Sequence, residues 1–71
     1  MATPNLLDRL EARLRTFHEV CTNHRHRVDV ERAWLEGYVR ALFDANVIRD
    51  EPFRGYMTRI ALIEEGYKED P

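Results

Sequence analysis

The pattern of apolar residues predicts an all-α fold: a small three-helix domain in which a long N-terminal helix packs, coiled-coil fashion, against a helical hairpin. Three observations carry this expectation. Leu7, Leu10, Leu14, Phe17, Cys21, His24 and Val28 follow one another at alternating steps of three and four, the spacing of a heptad stripe on one helix face. Between Asn46 and Phe53 the chain holds a helix stop and then a restart. Beyond that restart, Phe53, Tyr56, Met57, Ile60, Ile63 and Tyr67 gather on an arc of about 120° when residues are placed about 100° apart.

The first helix is expected over about residues 4–24. Thr3 supplies a capping hydroxyl, and Pro4 sits where a missing amide hydrogen is harmless. Leu6 and Val20 lie at the margins of the heptad stripe. Asp8 and Glu11 near the start, and Arg25 and Arg27 near the end, suit the helix dipole. Glu11 and Arg15 stand in the favourable i to i+4 order. The run Thr22-Asn23-His24-Arg25-His26-Arg27 lacks strong helix formers, which places a turn between Asn23 and Asp29.

Asp29 reads as the cap of a second helix over about 30–45, with Glu31 in its first turn. Val30, Trp34, Leu35, Tyr38, Val39, Ala41, Leu42 and Ala45 spread over about half of its circumference, the mark of a helix with two neighbours. The middle helix is therefore the expected centre of the fold. Trp34 is expected in the core, with Leu10, Leu14 and Phe17 on one side and Ile60 on the other, and Tyr38 is expected in the core with it. Asn46 tolerates the left-handed conformation that ends a helix, and Val47 and Ile48 can fold back on the last turn. Asp50 caps the third helix, over about 51–66, with Glu51 and Pro52 in its first turn. Gly66 closes it and Tyr67 packs back over the end. Glu36–Arg40 and Asp50–Arg54 are further i to i+4 pairs. The tail from Lys68 to Pro71 reads as loose.

Seventy-one residues, 44% hydrophobic and 34% charged, describe one globular helical domain rather than a disordered chain. A chain this short buries roughly 60% of its unfolded surface. A single Cys rules out an internal disulfide, so self-association is the remaining means of burying more. No secretory or membrane segment is evident, and a cytoplasmic protein is expected. The net charge is −2, but residues 1–28 carry five Arg against three acids, whereas residues 29–71 carry ten acids against six bases. The overall sign is wrong for non-specific nucleic-acid binding.

Little catalytic chemistry is legible. The sequence has no Ser and no Gly-rich phosphate loop. Cys21 lies on the heptad stripe, where burial rather than nucleophilic use is expected. The pairs Asp50/Glu51 and Glu64/Glu65 read as cap and surface charges. His18, Cys21, His24 and His26 are a metal-like cluster, yet His18 and His24 fall about 240° apart on the wheel, too far to meet at one ion on one helix. No enzyme, cofactor or metal is expected. Arg9, Arg13, His24, Arg25, His26 and Arg27 form a candidate anion or nucleic-acid edge, since Arg makes bidentate phosphate and carboxylate contacts. A helix-turn-helix reader is a poor fit, because Glu51, Glu64 and Glu65 offset Arg54 and Arg59 on the third helix.

Apolar residues outside the expected core arcs point elsewhere. Phe43 and Leu62 fall off their helices' main faces, and Ala33, Gly37 and Ala41 form a small-residue row at steps of four. These five residues are the expected protein or dimer interface. The segment Leu42 to Phe53 is similar to helical hairpins common in small accessory proteins, a generic likeness that assigns no residue a role. The expected function is a non-enzymatic protein–protein interaction module: a stand-alone inhibitor or adaptor of the kind phages and mobile elements encode, including anti-CRISPR-like blockers of nucleic-acid-handling or defence machinery. Small size and a chain beginning at its own Met favour that reading. A homodimer is expected, with an unidentified protein partner and no membrane association. The rival is a small nucleic-acid-binding regulator that uses the edge His24–Arg27.

Overall fold

Three sets of apolar side chains, one from each helix, meet on a common axis in the computed structural model, which describes residues 5–68, with side chains as far as Gly66. The helices are α1 (Leu6–Asn23), α2 (Val28–Asp44) and α3 (Asp50–Lys68), and a single 3-10 turn, Arg25–Arg27, joins the first two. All three pack on one another, so the expected all-α, three-helix architecture is what the chain adopts.

The cap of α1 is Asn5, whose Oδ1 accepts a hydrogen bond of 2.8 Å from the Asp8 amide, two residues later than the expected Thr3 cap. Thr3 and Pro4 lie outside the described residues. The heptad stripe packs as expected along its middle: Leu10, Leu14, Phe17 and Cys21 are buried, and marginal Val20 joins them. Towards the ends Leu7, at 36%, and His24 are exposed, α1 stopping at Asn23, whereas Val28, the last residue of the stripe, packs against the core from α2.

The α1–α2 connection is tight. The turn expected between Asn23 and Asp29 is there and takes the form of the 3-10 turn, closed by the Arg27 amide donating to the His24 carbonyl at 2.8 Å. Helix α2 then starts at Val28 without a side-chain cap, and Asp29 sits inside its first turn. There it pairs with Arg32 at 3.2 Å; its charge still complements the helix dipole.

The α2–α3 hinge follows its chemistry closely. Asn46 takes φ of 61°, and the amides of Asn46 and Val47 donate back to the carbonyls of Phe43 and Leu42 at 3.0 and 2.9 Å. That pair of bonds is a Schellman ending. Ile48 folds into the core while Val47 stays exposed. Asp50 is the first residue of α3 rather than a cap outside it; the Phe53 amide reaches the Arg49 carbonyl at 3.0 Å. The Asp50–Arg54 pair forms at 2.6 Å. Gly66 does not stop α3, which continues helical to Lys68. Lys68, expected in the loose tail, is therefore the last helical residue; the packing expected of Tyr67 and the rest of that tail, residues 69–71, lie outside the described side chains and backbone, respectively.

The core consists of Leu10, Leu14, Phe17 and Cys21 from α1, Leu35, Val39 and Leu42 from α2, Ile48 from the hinge and Ile60 from α3. Trp34 is not among them, contrary to expectation. It is 44% exposed because the buried side of α2 is centred on Leu35, and Trp34 lies about 100° round the helix from it. Tyr38, also expected inside, is half-buried at the core margin and donates its hydroxyl to the Leu6 carbonyl at 3.1 Å. Phe43 is corrected in the opposite sense. It packs against the core and stacks on Phe53 with ring centroids 4.5 Å apart, since α3 turns back immediately beneath it.

Candidate functional site

Helix α2 has two different long faces. Glu31, Leu35, Val39 and Leu42 point inward and are buried. About 120° away, Val30, Trp34, Gly37, Ala41 and Ala45 recur at steps of four, three, four and four, a second stripe at near-heptad spacing. All five are exposed, Val30 to 71%. No charged residue interrupts this stripe; Asp44 stands at its C-terminal margin.

Trp34 is its largest member and is held firmly. Tyr38, one turn on, stacks on the indole with centroids 5.1 Å apart and planes within 14°. The guanidinium carbon of Arg13, reaching over from α1, lies 4.3 Å from the ring centroid, within cation–π range. Arg13 is fixed in turn by Glu31, 3.4 Å away. Its Nε is buried and has no hydrogen-bond acceptor among the described residues, a desolvation cost offset by the ion pair and the ring. Arg9, Ala12, Arg13 and Thr16 of α1 face Trp34 and Tyr38 of α2 across an open groove of about 400 Å³. A rigid aromatic flanked by Arg is the composition enriched at protein contact centres.

The expected interface residues divide. Ala33, Gly37 and Ala41 are exposed along α2, and a Cβ added at Gly37 would meet nothing within 4 Å, so this row is open to a neighbour. Phe43 is withdrawn into the packing between α2 and α3. Leu62 is 61% exposed, but it faces away from the buried side of α3, about 160° from Ile60, and does not join the α2 row.

The basic edge divides as well. Arg13 and Arg27 converge on Glu31, at 3.4 and 3.1 Å, and Glu31 is only 7% exposed. Two of the six edge residues therefore serve to neutralise an inward-facing carboxylate. His24 and His26 meet edge to face with centroids 6.2 Å apart at the 3-10 turn, Arg25 is exposed nearby, and Arg9 lies along α1 beside the Trp34 groove. His18 lines a separate groove with Leu14, Arg15, Arg59 and Ile63, so the four metal-like residues do not come together. Among the described residues no group of three or more His, Cys, Asp or Glu is placed to hold an ion. The Cys21 thiol is buried, and that burial, with the field of Glu64, raises its pKa; Arg25 opposes the shift. Such a thiol is a poor nucleophile.

Two ionic contacts were not legible in the residue pattern. Glu64, expected at the surface, is buried, and Nη1 of Arg32 in α2 donates to both of its carboxylate oxygens, at 2.5 and 2.7 Å. That hydrogen bond is the main reason the Arg32 pKa is raised. Glu11 takes Arg59 of α3 bidentately at 2.8 and 2.9 Å instead of an i to i+4 bond to Arg15. The bond to Arg59 lowers the Glu11 pKa and raises that of Arg59. Both contacts join residues far apart in sequence, and local spacing holds no signal for them. The exposed stripe did leave a signal: an apolar arc about one and a half times as wide as the α3 arc, of which the bundle covers only part.

No helix among the described residues is long and apolar enough to cross a membrane. No family model matches the chain, and no curated protein and no solved structure matches it.

Proposed function

We propose that this chain is a non-enzymatic protein–protein interaction module whose contact surface is the α1/α2 face centred on Trp34. The observation that carries this reading is a tryptophan left 44% exposed yet immobilised by Tyr38 and Arg13. Exposing indole surface to water is unfavourable, and a ring already fixed in place gives up little further freedom on binding. Within this class the reading is an inhibitor or adaptor of the kind phages and mobile elements encode, acting by covering a surface on host nucleic-acid-handling or defence machinery.

The nucleic-acid reading draws on less. Two planar groups already lie against the Trp34 ring, so a base would have to displace one of them to stack. Arg13 and Arg27 are committed to Glu31. A paired capture experiment tests the proposal. Wild-type chain and Trp34→Ala serve as baits in lysate of the source cell, with and without nuclease treatment. A protein retained by the wild type and lost by the variant supports the reading. Identical captures with both baits, or captures that vanish with nuclease, sink it.

A further inference from the structure

Whatever covers the Trp34 face must meet its apolar stripe and the cations beside it. The stripe Val30–Trp34–Gly37–Ala41–Ala45 is about 22 Å long at 1.5 Å per residue, and its small residues at Gly37 and Ala41 leave room for a close helix backbone. Along the α1 side of the groove stand Arg9 and Arg13, with Ala12 and Thr16 between and beside them, and no acid lines it. Among the described residues Arg9 makes no ion pair. From this charge and shape we infer that the face takes an acidic amphipathic helix of a partner protein: apolar side chains on Trp34 and over Gly37, carboxylates towards Arg9, Arg13 being already paired with Glu31. This inference rests on the interaction reading above and names the chemistry of its partner.

A second copy of this chain fits the same face less well. Arg9 and Tyr38 line the same groove, close to the midpoint of the stripe at Gly37. A two-fold antiparallel seam centred there would bring Arg9 towards its own counterpart, a like-charge contact that disfavours a partner. An acidic helix turns the same position into an attraction.

Peptides of about 16 residues, long enough to run the length of the stripe, are selected from a random library displayed on phage against the full chain. Binding of the selected peptides is then titrated by the fluorescence of Trp34, the one tryptophan, and by polarisation of labelled peptide for variants lacking it. Enriched sequences should be net acidic with apolar residues at i, i+3 or i+4, and i+7. Their affinity should fall at least about tenfold with Trp34→Ala and with Arg9→Glu, both variants keeping the wild-type circular dichroism spectrum, and should weaken as salt is raised. Enrichment of neutral or basic sequences that still depend on Trp34 overturns the inference but leaves the interaction reading standing. Enrichment of nothing, or of peptides indifferent to Trp34→Ala, sinks both. Self-association of the free chain at micromolar concentration, abolished by Trp34→Ala, assigns the face to a second copy and overturns the acidic-partner inference.

Discussion

The inner and outer faces of α2 use similar residues for opposite ends. Leu35 and Val39 have no exposed surface at all, and their neighbours come from both other helices and the hinge. Trp34, next to Leu35 in sequence, touches chiefly a Tyr on its own helix and an Arg from α1. One apolar arc thus contains a face the bundle uses and a face the bundle leaves open. Hydrophobicity alone does not separate them. The position of α1 does, because it approaches α2 over Glu31 and Tyr38 rather than over Trp34.

The widest test of that contrast is a pair of truncations. Leu35→Ala should cost about 2–5 kcal/mol, a large fraction of the stability of so small a domain. Trp34→Ala should cost no more than about 1.5 kcal/mol, the worth of its stacking and cation–π contacts. Urea unfolding followed by circular dichroism measures both. Equal costs would show that the two faces are not distinct.

Next in size is the tie that holds α3 against α2. Arg32→Ala removes a charged partner from inward-facing Glu64 and should cost about 1.5–3 kcal/mol, the range for hydrogen bonds to charged groups. Arg40→Ala, on the exposed side of α2, serves as the control and should fall within about 0.5 kcal/mol of wild type. A thermal melt in which the two behave alike would show that the Arg32–Glu64 contact does not hold the helices together.

The outer face can also be sharpened by improving it. Gly37→Ala meets no atom within 4 Å and should stabilise α2 by about 0.5–1 kcal/mol through helix propensity. A loss of stability would mean that something already lies close against Gly37, most simply another chain.

The smallest effect concerns pH. The Glu11 pKa is lowered in the folded chain by its bond to Arg59, so the folded state favours the carboxylate. The stabilisation is fully present above the unfolded carboxylate range, near 4, and is lost as pH falls below it towards the lowered folded value. Both side chains are more than a third exposed, so solvent and salt screening hold it to about 0.2–1 kcal/mol. Melting temperatures of wild type and Arg59→Ala should converge between pH 5 and pH 3 (roughly the carboxylate range). A constant gap would assign the contact to packing rather than charge.

Sequence alone determined the elements and the sharper of the two junctions. The Schellman ending at Asn46 and the restart at Asp50 depend on backbone chemistry within a few residues, and such chemistry is written locally. The middle of the α1 stripe was legible for the same reason, since a heptad needs only regular spacing. The end of α1 was legible to within a residue, but not the form of the turn after it: propensity does not say whether weak helix formers wind into a 3-10 turn. Gly66 illustrates the same limit, because a glycine permits a helix to stop without requiring it. Tertiary structure alone decided which half of the α2 arc is covered, and with it the exposure of Trp34 and the packing of half-buried Phe43 against the core. It also decided that Glu31 and Glu64 turn inward and that Glu11 bonds Arg59 rather than Arg15. These outcomes depend on which helix lies opposite, a relation between residues up to 48 positions apart. The periodicity of one helix reports how wide its apolar surface is; only the neighbouring helix, once docked, fixes how much of that surface is left for a partner.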